Sequence, residues 1–313
     1  MAGNRGGVMI GIRRLVLVLC LSLLWTVPLG CGEGAAKAES EGTGLLKDDE
    51  FKDDELRDGA WFYHAFDDRQ KRIYDAFIQS AKEPFASQMI RIEEDQDAEG
   101  GIPIGEIDTV YQGFMYDHPE LFWLAQSYSY RYSGSDENGE RADAVAIIPI
   151  PDSEEKLAAL QEQFDACAGE ILTETGGSQS DAEYARSVYT LLAERTEYTG
   201  EAMYDDAMQM QHTAYGAIVD KKAVCDGFAL AYRYLLSQKG IPCLVIPGES
   251  EGSPHTWNTI MWNGTWHEAD LTWDASLGNG SKSRYFDLTS SEMQRDHTRE
   301  TDGIAGLIPV TND

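Results

Sequence analysis

Positive charge is scarce in this chain, in which 25 lysine and arginine residues stand against 54 aspartate and glutamate residues among 313, a formal net charge of −29. Nucleic-acid phosphates require a basic surface, so this balance argues against a nucleic-acid partner. The first 30 residues hold arginines and no acid, and without them the balance is 22 basic against 54 acidic residues, or −32. Such a charge is typical of a soluble, well-hydrated surface and fits a location outside the cytoplasm.

Cysteine is scarce as well, and no Cys-x-x-Cys pair occurs, so a zinc or redox dithiol site has no support. The acidic run at residues 47–58 lacks the Asp-x-Asp-x-Asn-Gly pattern of a calcium loop. We therefore predict neither a metal nor another cofactor. Cys167 and Cys243 could pair in an oxidising exterior or remain two free thiols, and the sequence leaves both possibilities open. The five cysteines are Cys20, Cys31, Cys167, Cys225 and Cys243.

The apolar run Leu15–Val27 follows arginines and is too short for a comfortable transmembrane helix, which is typical of an export signal over residues 1–30. Cys31 directly after this segment resembles the lipidation site of bacterial lipoproteins. We expect the protein to be exported and held at the outer face of the cell membrane as a lipoprotein, or secreted if Cys31 is not lipidated. Residues 31–52 then form a flexible tether.

Helical and strand patterns alternate in the first half of the chain. The periodicity predicts helices over Asp67–Ala81 and Ser153–Thr173, and a third helix that starts at a capping box on Ser180 and runs towards Glu197. Two strand patterns around an Asp-Glu-Asn-Gly turn predict a hairpin. Its strands are Gln126–Tyr132 and Ala142–Ile148.

Cys225 opens a predicted helix that Gly240 closes. At a helix N terminus the dipole and the unpaired N–H groups favour a thiolate, and the same groups could hold a developing oxyanion. Gly227 leaves space beside the sulfur for a substrate backbone. A structural buried cysteine is the alternative, and this segment alone does not decide between the two.

A second hairpin is predicted around Asn263-Gly264, the strongest short signal for such a turn. Its strands are Thr256–Trp262 and Thr265–Trp273. A two-residue loop places His255, Trp257 and Asp270 on one face, with the imidazole and the carboxylate as diagonal neighbours. A register slip of one residue would separate them.

A cysteine, a histidine and a carboxylate in this order can form a thiol nucleophile with an oriented base. Cys225 is the candidate nucleophile, His255 the candidate base, and Asp270 the candidate orienting carboxylate, with Asp274 as its rival. Trp257 shares the His255 face and could wall a substrate cleft.

The run from Thr213 to Leu236, then Gly248, His255-Thr256-Trp257-Asn258 and Asp270-Leu271-Thr272-Trp273-Asp274, resembles the bacterial transglutaminase-like superfamily, whose members are papain-like thiol enzymes. The resemblance covers about residues 181–286. The stretch at residues 117–123 is similar to one found ahead of this domain in secreted Gram-positive members. The family implies Cys225 as nucleophile, His255 as base and acid, and Asp270 as the orienting group. We assign the oxyanion donor to Tyr215 on aromatic type and position.

The resemblance implies an α+β fold in which the helix bearing the cysteine packs on an antiparallel sheet, behind an N-terminal extension of helices and a hairpin. The expected divisions are a signal peptide at 1–30, a tether at 31–52, the extension at 53–175, the catalytic domain at 176–290 and a tail at 291–313.

The expected function is that of an extracellular cysteine-dependent acyl-transfer enzyme acting on peptide or isopeptide amide bonds. Hydrolysis is favoured over cross-linking, because neither calcium loops nor flanking β-sandwich domains of the animal transglutaminase type are visible. The alternatives are a non-catalytic surface binding module and a true protein-glutamine transglutaminase. The expected partners are a peptide or protein substrate, with cell-wall peptides as one class, and the membrane through a lipid on Cys31.

Overall fold

Two antiparallel sheets organise the part of the chain that the structure describes, one in the N-terminal extension and one in the second half. Within that part, no helix is both long and apolar enough to span a membrane. Cys31, the predicted tether and most of the predicted signal peptide lie outside it. The computed structural model describes residues 9–14, 60–92, 101–137, 139–177, 180–200, 206–276 and 283–311.

In the N-terminal extension, short helices cover a sheet built around one long hairpin. The sheet runs in the order β1-β4-β5-β2, and β3 also pairs with β5. The elements are β1 (Ile10–Arg14), α1 (Trp61–Ala65), α2 (Asp68–Lys82), β2 (Ile90–Arg91), β3 (Ile102–Pro103), α3 (Ile104–Asp117), β4 (Leu124–Asp136), β5 (Gly139–Pro149) and α4 (Glu154–Thr175).

Side-chain caps start the predicted helices of this region. The Asp67 carboxylate accepts from the backbone N–H of Gln70, and the Gln70 side chain accepts in return from the N–H of Asp67, which completes a capping box ahead of α2. Ser153 caps α4 in the same position, with its hydroxyl accepting from the N–H of Lys156. The predicted helices and the predicted hairpin of the extension are confirmed, with the hairpin strands several residues longer than the sequence pattern showed.

Strand β1 pairs antiparallel with β4, with Gly11 opposite Tyr130. Its side chains are mostly exposed, and Arg13 forms an ion pair of 3.0 Å with Asp108. These residues belong to the predicted signal peptide. If the signal peptide is removed, β1 leaves with it and the outer edge of β4 loses its partner.

The second half of the chain packs helices against one face of a sheet ordered β11-β10-β9-β8-β12. Its elements are α5 (Asp181–Arg195), β6 (Glu197–Tyr198), β7 (Lys222–Ala223), α6 (Cys225–Ser237), β8 (Cys243–Ser250), β9 (Ser253–Trp262), β10 (Thr265–Ala269), α7 (Leu271–Ser276), β11 (Phe286–Leu288), α8 (Ser290–Met293) and β12 (His297–Arg299). Tight helical turns also occur at Asp206–His212, Gly216–Asp220 and Gly303–Leu307.

The β9–β10 hairpin has the predicted register, with Trp262 opposite Thr265 around Asn263-Gly264. Both turn residues have positive φ, 53° and 77°, the conformation for which Asn-Gly is favoured. The side-chain amide of Asn258 donates to the carbonyl oxygens of Ala229 and Leu244, at 3.0 and 3.2 Å, and so ties β9 to α6 and β8. The predicted α+β fold, with the cysteine helix on an antiparallel sheet, is confirmed.

The predicted domain boundary at residue 290 does not follow the structure. Strand β12 pairs with β8, placing His297 opposite Ser250 and Arg299 opposite Gly248, so residues of the expected tail complete the second sheet. Gly248 permits this close approach, because a Cβ atom there would collide with the Thr298 carbonyl oxygen of β12 and would also lie 2.6 Å from the Trp257 ring.

A buried ion pair joins the extension to the cysteine helix. Arg233 of α6 donates to Asp117 at the end of α3 over 3.0 Å, and both side chains are almost fully buried. The other carboxylate oxygen of Asp117 accepts from the backbone N–H groups of Phe62 and Tyr63 and from the Tyr74 hydroxyl. One carboxylate thus connects α1, α2 and α6.

Candidate active site

Cys225 is the first residue of α6 and is 7% exposed. Val224 precedes the helix in an extended conformation and makes no side-chain cap, so the N–H groups of the first turn are not capped by it. The helix dipole therefore acts on the sulfur as the sequence analysis expected.

His255 of β9 lies between Cys225 and Asp270. Its Nε2 is 2.7 Å from Asp270 Oδ2, and the Cys225 thiol lies near enough to the ring to act on its pKa. Burial lowers the pKa of His255, but the Asp270 carboxylate and the contact with the thiol outweigh burial and raise that pKa to about 10. The structure thus brings together Cys225, His255 and Asp270, the candidate nucleophile, base and orienting carboxylate. The contact of His255 with Asp270 is the one that the hairpin register predicts.

Asp270 is fully buried, and its two oxygens have different partners. Oδ1 accepts from the backbone N–H groups of Thr272 and Trp273, at 2.9 and 3.2 Å, and caps α7. Oδ2 holds His255. The strand predicted to continue to Trp273 is wrong at this point, because β10 ends at Ala269 and the side chain of Asp270 starts a helix instead. Burial raises the pKa of Asp270, whereas the two histidines that contact it hold that pKa well below its usual range.

The second of these histidines is His297, a residue to which the sequence analysis assigned no role. Its Nε2 lies 2.9 Å from Asp270 Oδ2 and its Nδ1 lies 2.6 Å from Asp296 Oδ1. The only local signal is the Asp296-His297 dipeptide. The contact with Asp270 depends on the pairing of β12 with β8, which no short-range pattern shows.

His255, Asp270 and His297 also form a group of three metal-ligand types. Their nitrogen–oxygen separations of 2.7 and 2.9 Å are those of hydrogen bonds. Ligand atoms around a tetrahedral zinc, each about 2.0–2.1 Å from the ion, would be roughly 3.3 Å apart. The arrangement is therefore a hydrogen-bonded chain.

Trp257 packs against the His255 ring inside the protein and does not line an open cleft. It is 1% exposed, and its ring is stacked on the His255 ring at 6.2 Å between centroids. Its Nε1 donates to Glu268 over 2.7 Å, and Glu268 in turn forms an ion pair with Arg299 of β12. The predicted cleft wall is therefore a buried support for the imidazole.

The space predicted beside Gly227 is occupied by the protein itself. A Cβ atom at this position would collide with the carbonyl oxygen of Gln211, and would lie 3.1 Å from that of Thr213. The N–H of Gly227 donates to the Asp226 side chain. Glycine is required here for the close approach of the preceding loop rather than for a substrate.

Tyr215, the residue assigned as oxyanion donor, packs in an aromatic cluster with Phe122 and Phe164. Its hydroxyl donates to the side chain of Gln163 over 2.9 Å. Since that hydrogen is already used on α4, this geometry gives the oxyanion role no support.

Asp274, the alternative to Asp270 as orienting carboxylate, uses its oxygens in structural hydrogen bonds. It accepts from the Tyr189 hydroxyl at 2.6 Å and from the backbone N–H groups of Arg284 and Tyr285. It is fully buried and ties α7 to Arg284 and Tyr285. Cys167 and Cys243 are both free cysteines.

A second acid–imidazole pair lies on the other side of the nucleophile. Asp226 accepts from Gln126 of β4 at 2.7 Å and contacts His212 Nδ1 at 2.8 Å. The Gln126 contact comes from the extension, so the extension reaches the residue next to the cysteine. No sequence pattern signals it, because the two residues are a hundred positions apart.

These polar residues form one side of a cavity of about 120 Å³ between the extension and the catalytic sheet unit. Tyr116 lines the cavity and lies near enough to Cys225 that the thiol acts on its pKa, which burial raises above its usual range. Glu300 stands at the rim. The apolar lining consists of Met115, Tyr116, Leu121, Phe122, Leu124 and Leu230.

A sequence model of the transglutaminase-like superfamily matches residues 168–271, a segment that contains Cys225, His255 and Asp270. The chain therefore contains a transglutaminase-like domain.

The chain is also similar to the kyphoscoliosis peptidase of Mus musculus, with 25% identity over 148 residues, which cover 40% of this chain and 22% of that protein. The Homo sapiens protein is 25% identical over 135 residues, covering 39% and 20%. The chain thus spans about a fifth of the length of these curated relatives.

Two solved structures are similar over part of the chain. One is a TGase with 21% identity and a TM-score of 0.34, covering 39% of this chain and 34% of that one. The other is a candidate cysteine protease from Cytophaga hutchinsonii with 14% identity and a TM-score of 0.32, covering 49% and 48%.

Proposed function

We propose that this protein is an extracellular cysteine-dependent acyl-transfer enzyme that acts on peptide or isopeptide amide bonds. The observation that carries the proposal is the placement of the Cys225 thiol, at a helix N terminus, beside the His255 ring, whose Nε2 lies 2.7 Å from Asp270 Oδ2. A thiol beside an imidazole that a buried carboxylate orients is the constellation of thiol acyl transfer.

The chemistry follows from the positions of these atoms. The Cys225 thiolate adds to the amide carbonyl carbon, and backbone N–H groups at the start of α6 would hold the oxyanion in this proposal. The C–N bond then breaks, and the leaving amine takes the proton of the His255 imidazolium. A thioester on Cys225 remains. Water or a second amine, deprotonated by His255, attacks it and regenerates the thiolate.

We propose hydrolysis as the main outcome, so the enzyme is a peptidase or amidase. The support is the similarity of part of the chain to curated proteins that are named peptidases. Transfer to an amine uses the same three residues, and a true protein-glutamine transglutaminase is the alternative that the assay must separate. A non-catalytic binding module is the other alternative.

The substrate binds, in this proposal, across the cavity beside α6. Its apolar lining suits a side chain of the substrate, and its polar side ends at Asp226, the neighbour of the nucleophile. Glu300 lines the cavity, and Glu249 and Asp302 lie near enough to raise its pKa in addition to the effect of burial, so acidic groups cluster on this side of the cavity. A peptide, with cell-wall peptides as one class, is the substrate type proposed.

The proposed location is the outer face of the cell membrane, through a lipid on Cys31. The support is the arginine-led apolar segment ahead of that cysteine and the acidic mature chain. Expression of the wild type and of Cys31→Ala in a bacterial host, followed by membrane fractionation, tests it. Membrane partition of Cys31→Ala equal to that of the wild type would rule out the lipid as the anchor.

The first test of the chemistry is the pH dependence of iodoacetamide labelling, read by peptide mapping. We expect iodoacetamide to label Cys225 at pH values well below about 8.5, the usual pKa of a free thiol. This reactivity should be lost in His255→Ala. Cys167, which is partly exposed, is the control in the same sample. Labelling of Cys225 that follows the curve of Cys167 and ignores His255 would favour the binding module.

Substrate assays then distinguish hydrolysis from transfer of the acyl group to an amine. Release of new amino termini from peptide mixtures, absent in Cys225→Ala, supports hydrolysis. Incorporation of a fluorescent primary amine into glutamine-containing protein, without such release, would instead identify a transglutaminase.

A further inference from the structure

The side chain of His297 lies between two carboxylates at the back of the active site. Its ring is completely buried, with Nε2 at 2.9 Å from Asp270 Oδ2 and Nδ1 at 2.6 Å from Asp296 Oδ1. The other Asp296 oxygen accepts from the Tyr285 hydroxyl over 2.8 Å. The chain of contacts therefore runs from Tyr285 through Asp296, His297 and Asp270 to the catalytic histidine.

The geometry restricts the hydrogens on His297. A neutral imidazole has one N–H group and one acceptor nitrogen, whereas a carboxylate offers only acceptors. Both nitrogens of His297 face carboxylate oxygens at hydrogen-bond distance, so both contacts are satisfied together only when both nitrogens carry hydrogen. Charges then alternate along Asp296, His297, Asp270, His255 and Cys225.

The surroundings of the ring are suited to a buried cation. Aromatic rings of Trp257, Trp273 and Tyr285 lie 5.1, 5.2 and 5.8 Å from it, centroid to centroid. Cations are attracted to aromatic faces within about 6 Å, more strongly where water is excluded. The titratable groups that face His297 are Asp270 before α7, Asp296 beside it in the chain, Tyr285 before β11, and His255 on β9, whose ring is 5.4 Å away.

We propose that Asp296 and His297 form a second carboxylate–imidazole pair that positions Asp270 and limits how strongly it holds the His255 imidazolium. The inference rests on the proposed function, since it concerns the same nucleophile. His297 touches no reacting atom and is a positioning residue.

The electrostatic consequence has a definite sign. Two imidazoles bind one oxygen, Asp270 Oδ2, so the negative charge that stabilises His255 is partly neutralised by His297. A positive charge at His297 also repels one on His255. Removing the charge of His297 while keeping a donor to Asp270 should therefore favour the imidazolium of His255. The imidazolium would then persist to higher pH. On the acid side the thiol ionises beside a His255 that is already protonated, so loss of the positive charge of His297 would make the thiolate form at higher pH.

The experiment compares the rate of Cys225 alkylation against pH in the wild type, His297→Gln and Asp296→Asn. His297→Gln keeps an N–H donor to Asp270 and removes the charge. The acid limb is the part of the pH profile on which alkylation rises as the thiol ionises. We expect it to move to higher pH in His297→Gln, with roughly three- to tenfold slower alkylation on that limb, and to lower pH in Asp296→Asn, which leaves the cation of His297 with one counter-charge fewer. His267→Gln is the matched control, because His267 contacts Asp287 at 2.8 Å on the same sheet, away from Asp270. It should leave the limb unchanged.

A merely structural role for His297 would lower the melting temperature without moving the acid limb, and that result overturns the proposal. A wild type without an acid limb overturns the proposed function, and the proposal is then judged by a second readout that needs no thiol chemistry. In Cys225→Ala, ¹⁵N–¹H spectra of the histidine side chains should show two protonated ring nitrogens for His297, assigned by their loss in His297→Gln. A single protonated nitrogen would overturn the proposal.

Discussion

The ion pair between Asp117 and Arg233 should dominate the attachment of the extension to the cysteine helix. The guanidinium of Arg233 is 4% exposed and the carboxylate of Asp117 is fully buried, so neither charge can be solvated if its partner is lost. Asp117→Asn keeps the shape and an acceptor for Tyr74, but leaves the buried guanidinium without a counter-charge. We expect a loss of about 3–5 kcal/mol in the free energy of unfolding, as for other broken buried pairs.

A double-mutant cycle separates the interaction free energy between Asp117 and Arg233 from the contribution that each side chain makes alone. Arg233→Met alone leaves a buried carboxylate, although one that still accepts from Phe62, Tyr63 and Tyr74. In the double variant Asp117→Asn/Arg233→Met no charge is buried, so its loss should be smaller than the sum of the single losses, with a coupling of roughly 2–3 kcal/mol.

Urea denaturation, followed by tryptophan fluorescence and by circular dichroism, measures these free energies, with coincidence of the two signals as the check on two-state behaviour. The control is the pair Arg131–Asp143, whose side chains are 34% and 27% exposed on the sheet of the extension. Breaking it should cost under about 1 kcal/mol. A coupling for Asp117 and Arg233 no larger than that of the control pair would refute the reasoning.

Three further outcomes are expected. Asp270→Asn keeps a cap for α7 but loses the charge that orients His255, so acyl transfer should fall roughly 10²- to 10⁴-fold in peptide assays, and a loss of less than tenfold would contradict the assigned role. The folded-state pKa of His255 is raised to about 10. The contribution of this group to stability is therefore complete below about pH 6.5 and is lost as the pH rises towards 10, by on the order of 2–5 kcal/mol. Melting curves should show this loss in the wild type and not in Asp270→Asn. Gly248→Ala places a Cβ atom 2.6 Å from the Trp257 ring and should destabilise by about 1–3 kcal/mol, whereas Gly105→Ala, with nothing within 4 Å, should be neutral or stabilising; equal melting temperatures would contradict the packing argument.

Local chemistry explains which parts of the fold the sequence predicts. The capping boxes at Asp67 and Ser180 and the Asn263-Gly264 turn act over a few residues, so their patterns give the helix starts and the hairpin register. The meeting of His255 with Asp270 follows from that register. These predictions depend on neighbours within one element or one hairpin.

One error is local. The prediction of Asp270 on a strand is wrong because its side chain caps α7 two and three residues on, which a period-two pattern does not show. The other errors arise where distant segments compete for a residue. Gly227 faces the Gln211 backbone, and Tyr215 gives its hydroxyl hydrogen to Gln163 on another helix. His297 reaches the site only through strand pairing across some fifty residues. Tertiary contacts, rather than propensity, decide these three positions.

The two oxygens of the Asp270 carboxylate have separate partners, which constrains how the proposed activity could be lost in the course of evolution. One oxygen begins a helix and the other holds two imidazoles. Substitution of Asp270 would therefore weaken both the fold and the proposed active site. Selection for folding alone would preserve the aspartate. Cys225 makes no comparable contribution to the fold, so replacing it is tolerable. Descendants that keep the architecture but abandon the reaction are accordingly expected to lack the cysteine and retain the aspartate.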